Sequence, residues 1–166
     1  ADIHPDSQET GDSLLQLGAL IFRGSETAAD AAEKERIIEE AMQVWDEFAT
    51  VSPDHPKASD IAFVVAENEY RKAEEVARQA VDAKTKQQKE EIKERARDLY
   101  RQAIPKYERM LNTFGDTPKG IRALYKLGWI YYSLEDQPQA AAEVFNKYSI
   151  LESNPEYSED RLQAKF

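Results

Sequence analysis

Apolar residues recur along most of the chain at spacings of three and four, the period of a helix that buries one face. No segment alternates between apolar and polar residues for long enough to predict a strand. Prolines interrupt the helical pattern at 52–56, 116–118 and 153–155, and the residue before a proline disfavours the α conformation. The sequence therefore predicts an all-α protein whose helices are joined at these proline-containing turns.

A two-part pattern occurs three times. In its second part, an alanine is followed by an aromatic residue four positions later and by a proline 14 or 15 positions later. In its first part, at 14–21, 63–70 and 124–131, small residues stand among apolar ones. A small residue lets an aromatic ring of a neighbouring helix approach closely, so each copy predicts a packed two-helix unit. The alanine–aromatic pairs are Ala41–Trp45, Ala103–Tyr107 and Ala141–Phe145.

The third copy, at 121–155, resembles the tetratricopeptide repeat family. It contains ALYKLGWIYY, then AAAEVF, then a proline, with Leu124 in place of the opening tryptophan of the family pattern. The interval from Tyr131 to Ala141 is ten residues, against about nine in the family. The corresponding intervals of the first two copies are 20 and 33 residues. The resemblance implies an α-solenoid, a right-handed stack of about three antiparallel hairpins with the second hairpin elongated.

The pattern also predicts how the chain is divided. We expect a flexible acidic leader over 1–11 and a single TPR-like domain over 12–166. The tip of the second hairpin is expected within 82–91, with a helix restarting after Thr85, and Pro105 is expected to kink the returning helix. The first residue, an alanine, and the apolar end of the chain favour a segment of a longer protein. The expected hairpins span 12–52, 57–115 and 119–153, and a capping or truncated helix spans 157–166.

The composition argues against catalytic and metal-binding roles. The chain has no cysteine and only two histidines, which leaves no disulfide framework, zinc ribbon or thiol nucleophile. The carboxylates fall on predicted polar faces or in turns, so we predict no enzyme, no cofactor and no metal site. His55 is expected to be an exposed turn residue. A net charge of −10 disfavours nucleic-acid binding, and no apolar run is long enough for insertion into a membrane.

The resemblance implies a concave surface lined by the first helix of each hairpin. In the third copy, three aromatic residues and an arginine point away from the predicted packing seam, and such residues dominate protein interfaces. We therefore expect an apolar groove with a basic fringe that binds a peptide or a partner helix. The candidate residues are Leu15 and Phe22 in the first copy, Ile61, Val64, Asn68 and Arg71 in the second, and Arg122, Tyr125, Trp129 and Tyr132 in the third.

The sequence leaves the use of this surface open. The aromatic stripe fits ligand binding, internal packing, or contact between copies in a homo-oligomer or a longer repeat array. A secretion-chaperone-like TPR protein is a further alternative. The resemblance extends to irregular repeats of bacterial envelope proteins, of the barrel-assembly lipoprotein and Tol–Pal coordinator type. Together with the absence of cysteine, it favours the periplasm over the cytoplasm.

Overall fold

The structure is a computed structural model that describes residues 5–152, with side chains from residue 9 onward. This part of the chain is helical and contains no strand, which confirms the predicted all-α class. Consecutive helices form three antiparallel hairpins, as the cross-helix contacts described below show. The helices are α1 (Pro5–Gly24), α2 (Ala31–Val51), α3 (Ala58–Gln79), α4 (Lys86–Phe114), α5 (Pro118–Ser133) and α6 (Pro138–Glu152), and a short 3₁₀ turn (Ser25–Thr27) follows α1.

The chain divides into two compact units, Ala1–Val65 and Ala66–Phe166, where the sequence led us to expect one domain. The division falls inside α3, so the first unit contains α1, α2 and only the first turns of α3. A buried cluster of Met42, Trp45 and Val65 forms the core of the first unit. This cluster draws its α3 contribution from those first turns, which explains why the boundary lies within a helix.

The helix ends follow the capping signals of the sequence. Asp30 caps α2, since its Oδ1 accepts a hydrogen bond from the Glu33 amide at 2.8 Å, while the Glu33 carboxylate accepts one from the Ala29 amide at 2.7 Å. Thr117 caps α5 in the same way, and Pro118 occupies the first helical turn. The expected turns at 52–56 and 116–118 therefore lie between helices.

The tip of the second hairpin overlaps its prediction only in part, because residues 86–91 belong to α4, while the helix restarts after Thr85 as expected. α3 ends at Gln79 and α4 begins at Lys86, with the Thr85 hydroxyl accepting a hydrogen bond from the Gln88 amide at 3.1 Å. Pro105 lies inside α4, which continues through it to Phe114. The long second hairpin therefore consists of two helices joined by a short connection.

The beginning of the chain differs from its prediction. α1 begins at Pro5, so residues 5–11 belong to a helix and not to a flexible acidic leader. Proline and acidic residues both favour the first turn of a helix, which accounts for the earlier start. The predictions for residues 1–4, for the end of the third hairpin at 153 and for the helix at 157–166 lie outside the described residues.

His55 is not an exposed turn residue. Its side chain is only 11 % exposed, and its ring meets the Phe48 ring edge-on at 5.1 Å. Its Nε2 lies 3.1 Å from a carboxylate oxygen of Asp12, and its Nδ1 accepts a hydrogen bond from the Lys57 amide at 3.0 Å. The turn folds back onto the first hairpin, and sequence spacing alone could not show that long-range contact.

The predicted packing of small residues against aromatic ones is confirmed in the first and third hairpins. A Cβ added at Gly18 would overlap the indole of Trp45, and one added at Gly128 would lie 2.6 Å from a ring carbon of Phe145. In the second hairpin the aligned position holds Glu67, which accepts a hydrogen bond from the hydroxyl of Tyr107 at 2.9 Å. In all three hairpins the aligned residue of the first helix thus contacts the aromatic residue of the second helix. The contact is close packing in the first and third hairpins and a hydrogen bond in the second.

Candidate protein-binding site

Five aromatic side chains of α5 and α6 form a continuous set of ring contacts in the second unit. Trp129 lies at the centre, with its ring 5.5 Å from Tyr132 and 5.6 Å from Phe145, and nearly perpendicular to both. Edge-to-face contacts of this kind stabilise pairs of aromatic rings beyond the area that they bury. The aromatic cluster consists of Tyr125, Trp129, Tyr132, Phe145 and Tyr148.

The α5 members of the aromatic cluster are open to solvent. Tyr125 is 39 % exposed, Trp129 40 % and Tyr132 64 %. The spacing of four and three residues places them on one side of α5, while Leu124, Leu127 and Ile130 fill the buried side. The three rings of α5 therefore use only part of their surface for packing within the protein. The rest of that surface remains accessible to solvent.

The polar candidates of the second unit differ in exposure. Arg122 is exposed one turn before Tyr125 and interacts within the chain. Asn68 is buried, contrary to the expectation that it lines an open groove, and its Oδ1 accepts a hydrogen bond from the exposed Arg71 at 3.3 Å. The helical register of Asn68 matches that of Val64 and predicts a surface position, but burial depends on neighbouring helices that the register does not include.

In the first unit, the four predicted residues divide between core and surface. Leu15 and Ile61 are partly buried against the cluster of Met42, Trp45 and Val65. Phe22 and Val64 are exposed, and the Phe22 ring stacks on Trp45 at 5.5 Å. The ten predicted residues thus fall in two units, and only the third-copy residues belong to a dense aromatic surface.

A polar network that the sequence did not predict lies in the second unit. Glu67 accepts the Tyr107 hydrogen bond and pairs with Lys126 at 3.0 Å, while Lys126 lies 4.4 Å above the centre of the Tyr70 ring. Further along the same hairpin, Tyr100 donates a hydrogen bond to Glu74. The one signal in the sequence was an acidic residue at the position that glycine occupies in the other two copies.

The tyrosine hydroxyls of this network have raised pKa values. Burial, together with the neighbouring Glu67 carboxylate, raises the pKa of the Tyr107 hydroxyl well above its ordinary value of 10.0. Burial likewise raises the pKa of Tyr70 and of Tyr100, with Glu74 adding to the shift in both. These hydroxyls therefore stay protonated as hydrogen-bond donors, and we assign the network a role in packing.

The raised pKa values predict a loss of stability in alkali. Unfolded tyrosines ionise near pH 10.0, whereas the folded ones resist ionisation, so the contribution of these tyrosines to stability is constant below that pH and falls above it. The loss is up to about 1.4 kcal/mol per pH unit for each affected tyrosine. Urea denaturation between about pH 8 and 11 should give a shallower decline for Tyr107→Phe than for the wild type. Equal slopes would contradict this role for Tyr107.

Between residues 9 and 152, no three or more histidine or acidic side chains are grouped so that they could hold a metal ion. Within the same range, no helix combines the length and the apolar character that crossing a membrane requires. Comparisons with protein-family models, curated proteins and solved structures found no match to this chain.

Proposed function

We propose that the chain is a non-enzymatic interaction scaffold that binds a partner protein or peptide through the aromatic cluster. The exposure of Tyr125, Trp129 and Tyr132 on a well-packed pair of helices is the observation that supports this proposal. Exposed tryptophan and tyrosine are the residues that most often dominate binding energy at protein interfaces. Clustering them on one side of one helix gives a partner several anchors at once.

The geometry of the aromatic cluster indicates what its partner carries. Ring contacts with α6 hold Tyr125 and Trp129 in place, so little side-chain freedom is lost when a partner covers them. Their exposed faces favour apolar or aromatic side chains, and the hydroxyls at the rim can orient a peptide backbone. We infer a partner that presents a hydrophobic segment, either extended or helical.

The proposal includes a tetratricopeptide-like arrangement of the three hairpins in a bacterial envelope complex. It is supported by the equivalent cross-helix contacts of Gly18 with Trp45 and of Gly128 with Phe145. The repeat pattern of the sequence and its lack of cysteine favour the periplasm.

Trp129→Ala is expected to weaken partner binding by at least about thirtyfold, the effect of losing a central hot-spot residue. We would select peptides from a displayed random library on the wild-type chain and measure their affinity for both proteins. Val81→Ala removes an aliphatic side chain that is more exposed than Trp129 and lies outside the aromatic cluster, which makes it the matched control. Circular dichroism should show unchanged helicity in both variants.

Selected peptides that bind Trp129→Ala as tightly as the wild type would contradict the proposal. The proposal would also be contradicted if the selection yielded no peptide whose binding depends on the aromatic cluster. Loss of helicity in Trp129→Ala would instead assign the indole to the core of the third hairpin.

A further inference from the structure

The first helix carries a second apolar surface, separate from the aromatic cluster. Leu17 is 45 % exposed and Leu20 65 %, and the half-buried Leu14 and Ile21 flank them on the same side of α1. The adjoining side of α1 faces α2: Gly18, one turn from both Leu14 and Ile21, meets Trp45, so these two half-buried residues lie at the edge of that contact. We call the four aliphatic residues Leu14, Leu17, Leu20 and Ile21 the outer face of α1.

Three polar residues, the first and last of them charged, border the outer face in a symmetric order. Glu9, Gln16 and Arg23 follow one another at intervals of seven, so they line one edge of the helix, with the acidic residue first and the basic residue last. All three are exposed. The side chains of Glu9 and Arg23 therefore lie where a partner can reach their charges.

A shallow groove lies on the N-terminal half of the outer face. The described residues that line it are Glu9, Thr10, Ser13, Leu14 and Leu17. Small and polar residues at 10 and 13 leave space between the larger leucines, which is the shape that receives a side chain of a facing helix. The leucine and isoleucine of the C-terminal half, at 20 and 21, are of the type that fills such a space.

We propose that the outer face of α1 binds the same face of a second copy of this chain, with the two helices antiparallel. A two-fold axis near Gln16 places Glu9 of each copy opposite Arg23 of the other, because both residues lie seven positions from Gln16. The same register places Leu17 of the second copy near Leu14 and Leu20 of the second copy near Ser13. In the dimer, the groove of each copy therefore receives the aliphatic residues of the other copy, so the same contact occurs twice.

The charge pattern favours a second copy over an unrelated helix. Complementary charges and complementary shapes occur on one helix and are symmetric about one residue, which makes the surface complementary to itself. A single pair of helices buries less area than a standard interface, so we expect a dimer that dissociates in the micromolar range. The inference does not depend on the aromatic cluster, whose residues lie on other helices.

Sedimentation equilibrium of the full chain between about 1 µM and 1 mM tests the dimer. Leu20→Glu is expected to weaken self-association by at least about 100-fold, because it places a charge in the dimer contact. Val81→Glu, an equivalent change at an exposed aliphatic residue elsewhere, is expected to leave it unchanged. A chain that stays monomeric throughout this range, or one that responds equally to both variants, would overturn the proposal.

Charge reversal tests the register. Glu9→Arg and Arg23→Glu are each expected to weaken the dimer about tenfold, because each places like charges opposite one another. The double variant should return to within about twofold of the wild type, since it restores both pairs with their signs exchanged. If the double variant weakened the dimer by the combined effect of the two single variants, the antiparallel pairing would be rejected. Trp129→Ala should leave the dimer intact, which keeps this test separate from that of the proposed function.

Discussion

Tyr107→Ala is expected to destabilise the second unit by about 3–5 kcal/mol, the usual cost of truncating a large aromatic residue in a core. Tyr107 is fully buried, and its hydroxyl donates to Glu67, which also pairs with Lys126. Truncation would leave a cavity between α3 and α4 and remove a donor from a partly buried carboxylate. Denaturation with urea or guanidinium, followed by circular dichroism, measures the change.

Two milder variants separate the cavity from the hydrogen bond. Tyr107→Phe keeps the ring and removes the hydroxyl, so it should cost about 1–2 kcal/mol. Tyr131→Phe removes a hydroxyl that bonds Glu108 at 3.1 Å in a more exposed setting, and we expect less than about 0.5 kcal/mol. Equal effects of the two phenylalanine variants would contradict the importance assigned to the Glu67–Tyr107 bond.

Gly18→Ala is expected to destabilise the first unit by about 1–3 kcal/mol, although alanine is the better helix former. The added methyl group would overlap the Trp45 indole, whose Nε1 also donates a hydrogen bond to the Leu15 carbonyl at 3.3 Å. Moving the ring would therefore disturb both the core cluster and the contact between α1 and α2. Thermal or chemical denaturation of the variant gives the size of the effect.

Gly24→Ala provides the control in the same helix. A Cβ at Gly24 would lie 3.9 Å from Ile37, an ordinary contact, so this variant should be neutral or more stable by up to about 1 kcal/mol. Gly128→Ala repeats the test in the third hairpin, where Phe145 is the obstacle. If Gly18→Ala proved as stable as Gly24→Ala, the packing of small residues against aromatic ones would not be what joins α1 to α2.

The helical class, the positions of the turns and the small-to-aromatic contacts were predictable because they depend on local signals. Thr85 caps α4 at the position that the sequence indicated, and Thr117 caps α5 within the predicted turn at 116–118. Gly18 and Gly128 were recognisable because the same pattern occurs in repeated segments, and repetition reduces the chance that a spacing is accidental. Helical period placed Tyr125, Trp129 and Tyr132 on one side of α5, but the sequence left open whether that side is exposed.

Features that depend on contacts distant in sequence were missed. Asn68 has the same helical register as Val64, yet it is buried and Val64 is exposed, because the neighbouring helices cover one and not the other. His55 lies in a turn and is covered through contacts with Phe48 and Asp12. The network around Glu67 could be identified only once α4 and α5 were placed beside it. The hydrophobic pattern of a helix indicates which of its sides is apolar, but it does not indicate which residues pack against that side.

Fluorine NMR of the chain labelled with 5-fluorotryptophan tests the central claim most directly. The chain has two tryptophans, the buried Trp45 and the exposed Trp129, so the first serves as an internal control. On addition of a selected peptide, the Trp129 signal should shift and lose its sensitivity to solvent, while the Trp45 signal stays in place. A bound peptide that shifts only Trp45, or neither signal, would contradict binding at the aromatic cluster.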